Sequence, residues 1–303
     1  MNNLKTILVA VDFSTGSRAA LDQAARIAGL NGAKLHVLHV IDSAAVSALA
    51  DAHQESFERR AKTSAEGASA ALTRWLEHSK LPPNSEITIA TGAPMHEILE
   101  HAKKFSADLL VAGITGAGDS PAGTGSVSGK LARKAVTGVL LVRSDHPGPF
   151  RKVVACIDFS ETSREVAAQA HRVAVQDGAL VDFLHVWRDP MLTMPYGLPT
   201  ADAGAPFFTS TPEFRQEYTR NLQRDLKEFV SEAAQGIQAE VTLYESVSYG
   251  NGIAIHAENA RADLIVIGGK GRTNLRYVLL GSTAERLLTR LPCSVLVVKL
   301  PNE

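Results

Sequence analysis

An internal duplication constrains this chain more than any other feature of its sequence. Residues 7–40 align with residues 153–186 without a gap, and 14 of the 34 aligned pairs are identical. Unrelated segments of this length share only a few identities by chance. The chain has 303 residues, and a common domain has roughly 150. We therefore predict two copies of one domain.

The copies also match near their ends. Further matched segments pair residues 107–116 with 262–271 and residues 125–142 with 281–298. These matches place copy one at residues 1–146 and copy two at residues 150–303. Residues 144–150, SDHPGPF, are rich in Pro and Gly, which is typical of a short linker.

Each copy alternates short apolar runs rich in β-branched residues with longer amphipathic stretches, which is typical of βα units around a parallel sheet. The predicted strands are residues 7–11, 34–41, 86–90, 108–113 and 139–143 in copy one, and 153–157, 180–186, 240–244, 263–268 and 294–299 in copy two. The expected fold is therefore α/β, with two tandem five-stranded parallel sheets flanked by helices.

The clearest helix signal lies in copy two, where Thr211 and Pro212 form a cap and first-turn pattern. Apolar residues then recur at helical spacing: Phe214, Tyr218, Leu222, Leu226 and Phe229. We expect this stripe to face the core. An insertion at residues 189–210 precedes it, and long irregular segments of this kind are usually functional or mobile. A lid over a ligand, a partner surface and packing between the copies remain open interpretations.

Open α/β sheets bind ligands beyond the carboxyl ends of their strands. In copy two the fourth strand runs into residues 268–271 (GGKG), and nine residues later residues 281–283 (GST) enter a helical pattern. Glycine lets the backbone approach a phosphate, and N–H groups at a helix start attract anions. Lys270, Arg272 and Arg276 add positive charge. This pattern predicts a phosphate site.

Copy one has a weaker version of the same pattern. Residues 113–116 (GITG) are followed after only eight residues by residues 125–128 (GSVS). The intervening AGDSPAGT contains no Lys or Arg and one acid, Asp119. It therefore offers a triphosphate less electrostatic help, and we rank this site second.

Matched polar residues end the first two strands. Asp12 and Asp158 each end the first strand and precede Phe-Ser. These carboxylates, or Ser14 and Ser160 beside them, are candidates either to cap the next helix or to bind a ribose. His39 and His185 end the second strand, where we expect a structural hydrogen bond. We expect Cys156 and Cys293, which lie in apolar runs, to be buried and inert.

Asp-Phe-Ser after the first strand, His-Val at the end of the second and especially the Gly-x2-Gly-x9-Gly-Ser/Thr spacing after the fourth resemble the ATP-binding class of universal stress proteins. The resemblance covers essentially the whole chain, twice. It implies a Rossmann-like fold of the adenine nucleotide alpha hydrolase type, with a five-stranded parallel sheet flanked by helices. It also implies ATP as the ligand, with Mg²⁺ on the phosphates.

The resemblance assigns binding roles position by position. In copy two these are Asp158 for the ribose, the backbone of Val186 for the adenine, Gly268 and Gly271 for ribose and phosphates, and Gly281, Ser282 and Thr283 for the phosphate tail. The equivalents in copy one are Asp12, Val40, Gly113, Gly116, Gly125, Ser126 and Val127. The spacing between Gly116 and Gly125 is one residue short of the motif, which counts against a triphosphate there.

The overall composition argues against several other classes of protein. Lys plus Arg (31) nearly balances Asp plus Glu (32), so net charge predicts no nucleic-acid or membrane partner. The N-terminal apolar run reads as a first strand rather than a signal peptide, and no run reaches the roughly 18 apolar residues of a spanning helix. With only two cysteines, a reducing cytoplasm is expected.

Three functions are consistent with these residues. A nucleotide sensor would bind ATP in copy two and change its affinity for a protein partner. A scaffold would use the last strands as exposed sheet edges for assembly, either as a homodimer or as an internal pseudo-dimer. ATP hydrolysis requires a general base and a metal-binding carboxylate near the phosphates, and neither is evident, so we expect slow turnover at most.

Overall fold

The computed structural model describes residues 4–116, 126–145, 148–190, 211–271 and 280–300. Copy one contains β1 (Thr6–Val11), α1 (Thr15–Asn31), β2 (Lys34–Asp42), α2 (Ser43–His53), α3 (Phe57–Leu76), β3 (Glu86–Gly92), α4 (Pro94–Lys104), β4 (Leu109–Gly113), α5 (Ser126–Lys134) and β5 (Gly138–Val142). Copy two contains β6 (Lys152–Cys156), α6 (Glu161–Asp177), β7 (Leu180–Trp187), α7 (Pro212–Val230), β8 (Ala239–Glu245), α8 (Tyr249–Asn259), β9 (Leu264–Gly268), α9 (Ser282–Leu288) and β10 (Ser294–Val298). Residues 191–210 of the insertion lie outside the described residues, so its three interpretations remain open.

The described strands form one ten-stranded sheet in the order β3-β2-β1-β4-β5-β10-β9-β6-β7-β8. Within each copy every neighbouring pair is parallel. This confirms the predicted α/β class and five parallel strands per copy. The strand order reverses between β1 and β4, and again between β6 and β9, so each copy has a switch point where ligands bind in such sheets.

The two copies meet through their last strands. β5 and β10 pair antiparallel, with Val139 opposite Val297 and Leu141 opposite Val295. The internal pairing considered from the sequence is therefore present. The expectation that the final strand is a sheet edge is wrong, because each copy covers the edge of the other. The edges of the ten-stranded sheet are β3 and β8 instead.

Helices cover both faces of the sheet. Every residue of β4 and of β10 is buried, as expected for strands enclosed on both sides. One hydrophobic cluster joins residues of α1, α3, α6 and α7, and the other joins residues of α4, α5, α8 and α9. None of the described helices is both long and apolar enough to cross a bilayer.

Helix α7 begins where the sequence pattern predicted. Thr211 caps it by accepting a hydrogen bond from the Phe214 N–H at 3.2 Å. Leu226 of the predicted stripe is fully buried, and Phe229 packs against the same cluster. Tyr218 is only half-buried. The stripe therefore faces the core at its carboxyl-terminal end and a different surface at its amino-terminal end.

An ion pair ties the copies together beside the linker. Two nitrogens of the Arg26 guanidinium donate to the two carboxylate oxygens of Asp177, at 2.6 and 3.0 Å. The Phe150 N–H donates to the same carboxylate at 2.9 Å. Burial alone raises the pKa of Asp177, but the hydrogen bonds from Arg26 and Phe150 outweigh it and hold the pKa below its ordinary value. The contact joins α1 of copy one to α6 of copy two.

We expect Asp177→Asn to lower the free energy of unfolding at pH 7 by about 1.5–3 kcal/mol, because it removes a charged acceptor from a buried pair. The folded-state pKa of Asp177 is lowered, so its stabilisation is present above the unfolded pKa and is lost as the pH falls through the folded value. The variant should therefore lose less stability than the wild type on acidification below the ordinary Asp pKa of 3.8. Urea unfolding of both proteins at pH 7 and at a pH below 3.8 measures this difference.

The matched control is Asp225→Asn, which breaks an ion pair between two exposed side chains, Arg224 and Asp225. Its effect at pH 7 should stay within about 0.5 kcal/mol. Equal losses for the two variants would show that the inter-copy pair contributes no more than a surface pair.

Candidate functional site

A cavity of about 360 Å³ opens at the carboxyl ends of β6, β7 and β9, at the switch point of copy two. The residues that the sequence analysis selected in copy two all line it: Asp158, Val186, Gly268, Gly271, Gly281, Ser282 and Thr283. They come from four separate parts of the chain. The fold therefore brings the predicted set together in one place.

Asp158 follows β6 and is held at the start of α6. Its Oδ1 accepts hydrogen bonds from the Ser160 N–H at 3.0 Å and from the Oγ atoms of Ser160 and Ser163 at 2.5 Å. Ser160 is the residue that caps α6, because its Oγ accepts from the Ser163 N–H. Asp158 therefore orients the cap rather than providing it. Its Oδ2 lies beside Gly271, on the cavity side.

The backbone of Val186 reaches the cavity because β6 is shorter than β7. The two strands pair only as far as Cys156 and Leu184, and the Ile157 N–H donates to the Leu184 carbonyl at 2.8 Å. Alternate residues of a strand direct their backbone groups to the same side. The N–H and C=O of Val186 therefore point the same way as those of Leu184, past the end of β6. This places a donor and an acceptor side by side at the cavity.

The cavity glycines leave space that side chains would fill. A Cβ on Gly268 would lie 2.8 Å from Thr162 Cγ2, and a Cβ on Gly271 would lie 3.0 Å from Asp158 Oδ2. The Gly281 N–H donates to the Gly269 carbonyl at 2.7 Å, which joins the two halves of the glycine pattern. The space between the Gly271 backbone and the Asp158 carboxylate, here called the glycine channel, therefore stays open because these positions carry no side chain.

The amino-terminal end of α9 gives one end of the cavity a positive character. Gly281 is the cap residue of α9, and Ser282 and Thr283 occupy its first turn. N–H groups in a first helical turn have no partner within the helix and favour anions. Lys270 also lines the cavity. Arg272 and Arg276 lie outside the described residues.

Copy one has a smaller cavity of about 250 Å³ at its own switch point. Its lining includes five of the predicted residues: Asp12, Val40, Gly113, Gly116 and Val127. Gly125 and the side chain of Ser126 lie outside the described part of the chain. Among the described residues that line this cavity, none is aromatic and none carries a positive charge. The two cavities therefore share a framework but differ in chemistry.

Several lining residues of the copy-two cavity were missed by the sequence analysis: Trp187, Arg188, Tyr218 and Tyr249. Trp187 and Arg188 directly follow the predicted Val186, so extending the search by two residues would have found them. Tyr218 belongs to the helical stripe that was predicted to face the core, and this prediction is wrong for Tyr218. Helical spacing shows which residues share a face but not whether the face meets a core or a cavity.

The predicted structural role of the strand-end histidines agrees with the geometry. His39 Nδ1 lies 2.9 Å from the Val11 carbonyl, and His185 Nδ1 lies 2.7 Å from the Ile157 carbonyl. Each ring also packs on the phenylalanine that follows the Asp, with centroids 4.6 and 4.8 Å apart. The same histidine–phenylalanine contact therefore forms beyond the carboxyl end of the first strand in both copies.

Family comparison agrees with the duplication. A family model described as the universal stress protein family matches residues 3–143 and again residues 149–299. A universal stress protein of Mycolicibacterium smegmatis is 29% identical over 306 residues, which cover 97% of this chain and 96% of that protein. A universal stress protein of Methanocaldococcus jannaschii is 32% identical over 155 residues, which cover 51% of this chain and 85% of that protein.

Solved structures share the whole architecture. The crystal structure of a universal stress protein from Archaeoglobus fulgidus matches with a TM-score of 0.65 and covers 98% of this chain and 97% of its own. The sequence identity is 20%, so this likeness establishes the fold alone.

We expect neither cysteine to react quickly in the folded protein. Cys293 is buried as expected, and burial raises the pKa of its thiol to about 12. Cys156 is only partly buried and lines the copy-two cavity, so the expectation of a buried thiol is wrong for it, although desolvation raises its pKa too. The reactive thiolate is therefore scarce for both near neutral pH. A chromogenic disulfide reagent at pH 8 should find almost no fast thiol before denaturation and two after it. A fast reaction that disappears in Cys156→Ser would contradict this and identify an accessible thiol at the cavity.

Proposed function

The chain belongs to the universal stress protein family, and from that premise we propose that it is a regulatory ATP-binding protein whose dependable nucleotide site is the cavity of copy two. The observation that carries the proposal is the convergence of all seven predicted residues on that single cavity. Its volume of about 360 Å³ lies in the range of roughly 300–1,000 Å³ that is usual for small-molecule sites.

The order of the strands orients the nucleotide in this proposal. The phosphates lie at β9 and the start of α9, where Gly271, Ser282 and the helix N–H groups line the cavity. The ribose lies at β6 beside Asp158, and the base lies at β7 beside Val186. The N–H and C=O of Val186 suit adenine, whose ring nitrogen accepts a hydrogen bond beside an amino group that donates one. Guanine presents the reverse pattern at that edge.

Mg²⁺ enters this proposal with the phosphates rather than through a site of the protein. Within the described ranges, no group of three or more His, Cys, Asp or Glu side chains is placed to hold a metal ion. Mg²⁺ commonly keeps several waters and binds nucleotides through phosphate oxygens. The glycine channel and Lys270 fit a ligand of that kind, since they leave room for the phosphates and supply positive charge.

Regulation is favoured over catalysis by the carboxylates of the cavity. Among the described lining residues Asp158 is the single carboxylate, and its Oδ1 already accepts three hydrogen bonds. A hydrolase requires a base that positions water at the terminal phosphate. Asp158 lies at β6, toward the sugar. Binding without rapid turnover is the behaviour that these positions support.

The scaffold alternative has less support than the nucleotide proposal. It relied on the last strands as exposed edges, and β5 and β10 are paired with each other. Association with a second chain therefore needs a different surface. Copy one ranks second as a nucleotide site, because its cavity is smaller and no cation is among its described lining residues.

The decisive test replaces one glycine in each copy. Gly271→Val places a side chain in the channel beside Asp158 Oδ2, and we expect ATP affinity to fall at least about tenfold. Gly116→Val makes the matched change in copy one and should leave that affinity unchanged. Isothermal titration calorimetry with ATP and Mg²⁺ measures both, and thermal unfolding without ligand verifies that both variants are folded.

Two results would contradict the proposal. If the wild type binds no ATP and gains no thermal stability from it, copy two is not a nucleotide site. If Gly116→Val rather than Gly271→Val abolishes binding, the site lies in copy one. Phosphate release should be slow in the wild type, and steady fast release would favour an enzyme instead.

A further inference from the structure

Aromatic side chains surround one end of the copy-two cavity. Trp187, Tyr218 and Tyr249, here called the aromatic rim, all line it. Trp187 ends β7, Tyr218 lies in α7, and Tyr249 begins α8 after β8. Trp187 directly follows Val186, and the Tyr218 ring packs on Trp187, so these two lie at the end assigned to the base. The start of α8 lies between Val186 and α9: a Cβ on Gly252 would be 2.9 Å from Val186 Cγ1, and a Cβ on Gly250 would be 2.8 Å from the Thr283 carbonyl oxygen. Tyr249 therefore borders the base end from the α8 side.

The two tyrosines approach this end from opposite faces of the sheet. Helix α7 packs with α6 in one hydrophobic cluster, through Leu226 and Val230. Helix α8 packs with α9 in the other cluster, through Ile253 and Ala257. Tyr218 and Tyr249 therefore wall the cavity from both helical layers. The carboxyl end of β7 lies between these layers.

The wall on the α7 side is held in place before any ligand arrives. The Tyr218 ring lies 5.7 Å from the Trp187 ring and 6.0 Å from the nearly parallel Phe214 ring. The Arg215 guanidinium lies 5.8 Å from the Trp187 ring centroid and donates to Asp189 at 3.3 Å. A ring fixed by its neighbours loses little conformational entropy when a ligand stacks on it.

Neither helix formation nor core packing explains Tyr249. It is the first residue of α8, and the residue at the same place in copy one is Pro94, the first residue of α4. Pro is favoured at a first helical position and Tyr is not. Tyr249 also remains 43% exposed, so it is not a core residue. Pro94 lines the cavity of copy one as Tyr249 lines that of copy two, so the difference between them is the aromatic ring that Tyr249 adds at this position.

We propose that Tyr218 and Tyr249 enclose the base of the nucleotide from the two faces of the sheet and make copy two selective for purines. This inference rests on the proposed function, because it assigns a role within the same site. Aromatic side chains stack on any nucleobase, but a purine offers two fused rings and a pyrimidine only one. The Val186 backbone selects by hydrogen bonding, while the aromatic rim selects by ring area.

The test measures the dissociation constants of ATP, CTP and inorganic tripolyphosphate. Tyr249→Leu keeps an apolar side chain but removes the ring, and we expect it to weaken ATP binding by about 5- to 100-fold. Tripolyphosphate, which has no base, should bind as it does to the wild type. The preference for ATP over CTP should shrink, and Tyr249→Phe should retain it. Tyr218→Leu should show the same pattern.

Phe57→Leu is the matched control. Phe57 is also an aromatic first residue of a helix, is 38% exposed, and is not among the residues of either cavity. It should bind all three probes as the wild type does. Thermal unfolding without ligand then separates loss of the ring from loss of the fold.

The outcomes distinguish this inference from the proposed function. If the wild type binds ATP while Tyr249→Leu and Tyr218→Leu keep its affinity and its preference over CTP, the aromatic rim has no role and the ATP site stands. Equal weakening of ATP and tripolyphosphate would also overturn the inference, since the effect would not involve the base. If the wild type binds no ATP, both proposals fall.

Discussion

The antiparallel pairing of β5 with β10 is the contact on which the arrangement of the molecule depends. The last strand of each copy would otherwise present unpaired N–H and C=O groups to solvent, and such edges invite association. Pairing them inside one chain satisfies both edges and merges two five-stranded sheets into one. Because the pairing is antiparallel, the strands of the two copies run in opposite directions, and their carboxyl ends lie on opposite sides of the molecule. The two cavities therefore cannot share a ligand and are free to differ.

The two copies share the contacts that support their cavities and differ in the side chains that line them. Phe13 and Phe159 both adopt left-handed backbone conformations, with φ of 66° and 64°, and each packs on a histidine near the carboxyl end of the second strand of its copy. The rims differ, because copy two adds aromatic and cationic side chains that copy one lacks among its described lining residues. The inter-copy ion pair is asymmetric too. The residue aligned with Asp177 is Asn31, and the residue aligned with Arg26 is Arg172, which pairs with Glu165 inside copy two.

Sequence reasoning succeeded where one local rule decides the outcome. Alternating apolar runs gave the strands to within one or two residues, and the Thr211 cap gave the start of α7. It failed where the environment is made by distant segments. Tyr218 and Leu226 share the same helical periodicity. Tyr218 nevertheless lines the cavity and Leu226 packs in the core, because the two ends of α7 lie against different parts of the fold. The edge status of β10 depended on a partner strand more than 150 residues away, which no local pattern records.

The hydrogen bonds of Asp158 tie the shape of the copy-two cavity to the joint between the copies. Oδ1 accepts three hydrogen bonds at the start of α6. These bonds hold the carboxylate beside Gly271, so Oδ2 has a fixed position at the cavity before any ligand arrives. Helix α6, which begins at these bonds, ends at Asp177 in the ion pair with copy one, so the site is built on the helix that also joins the copies.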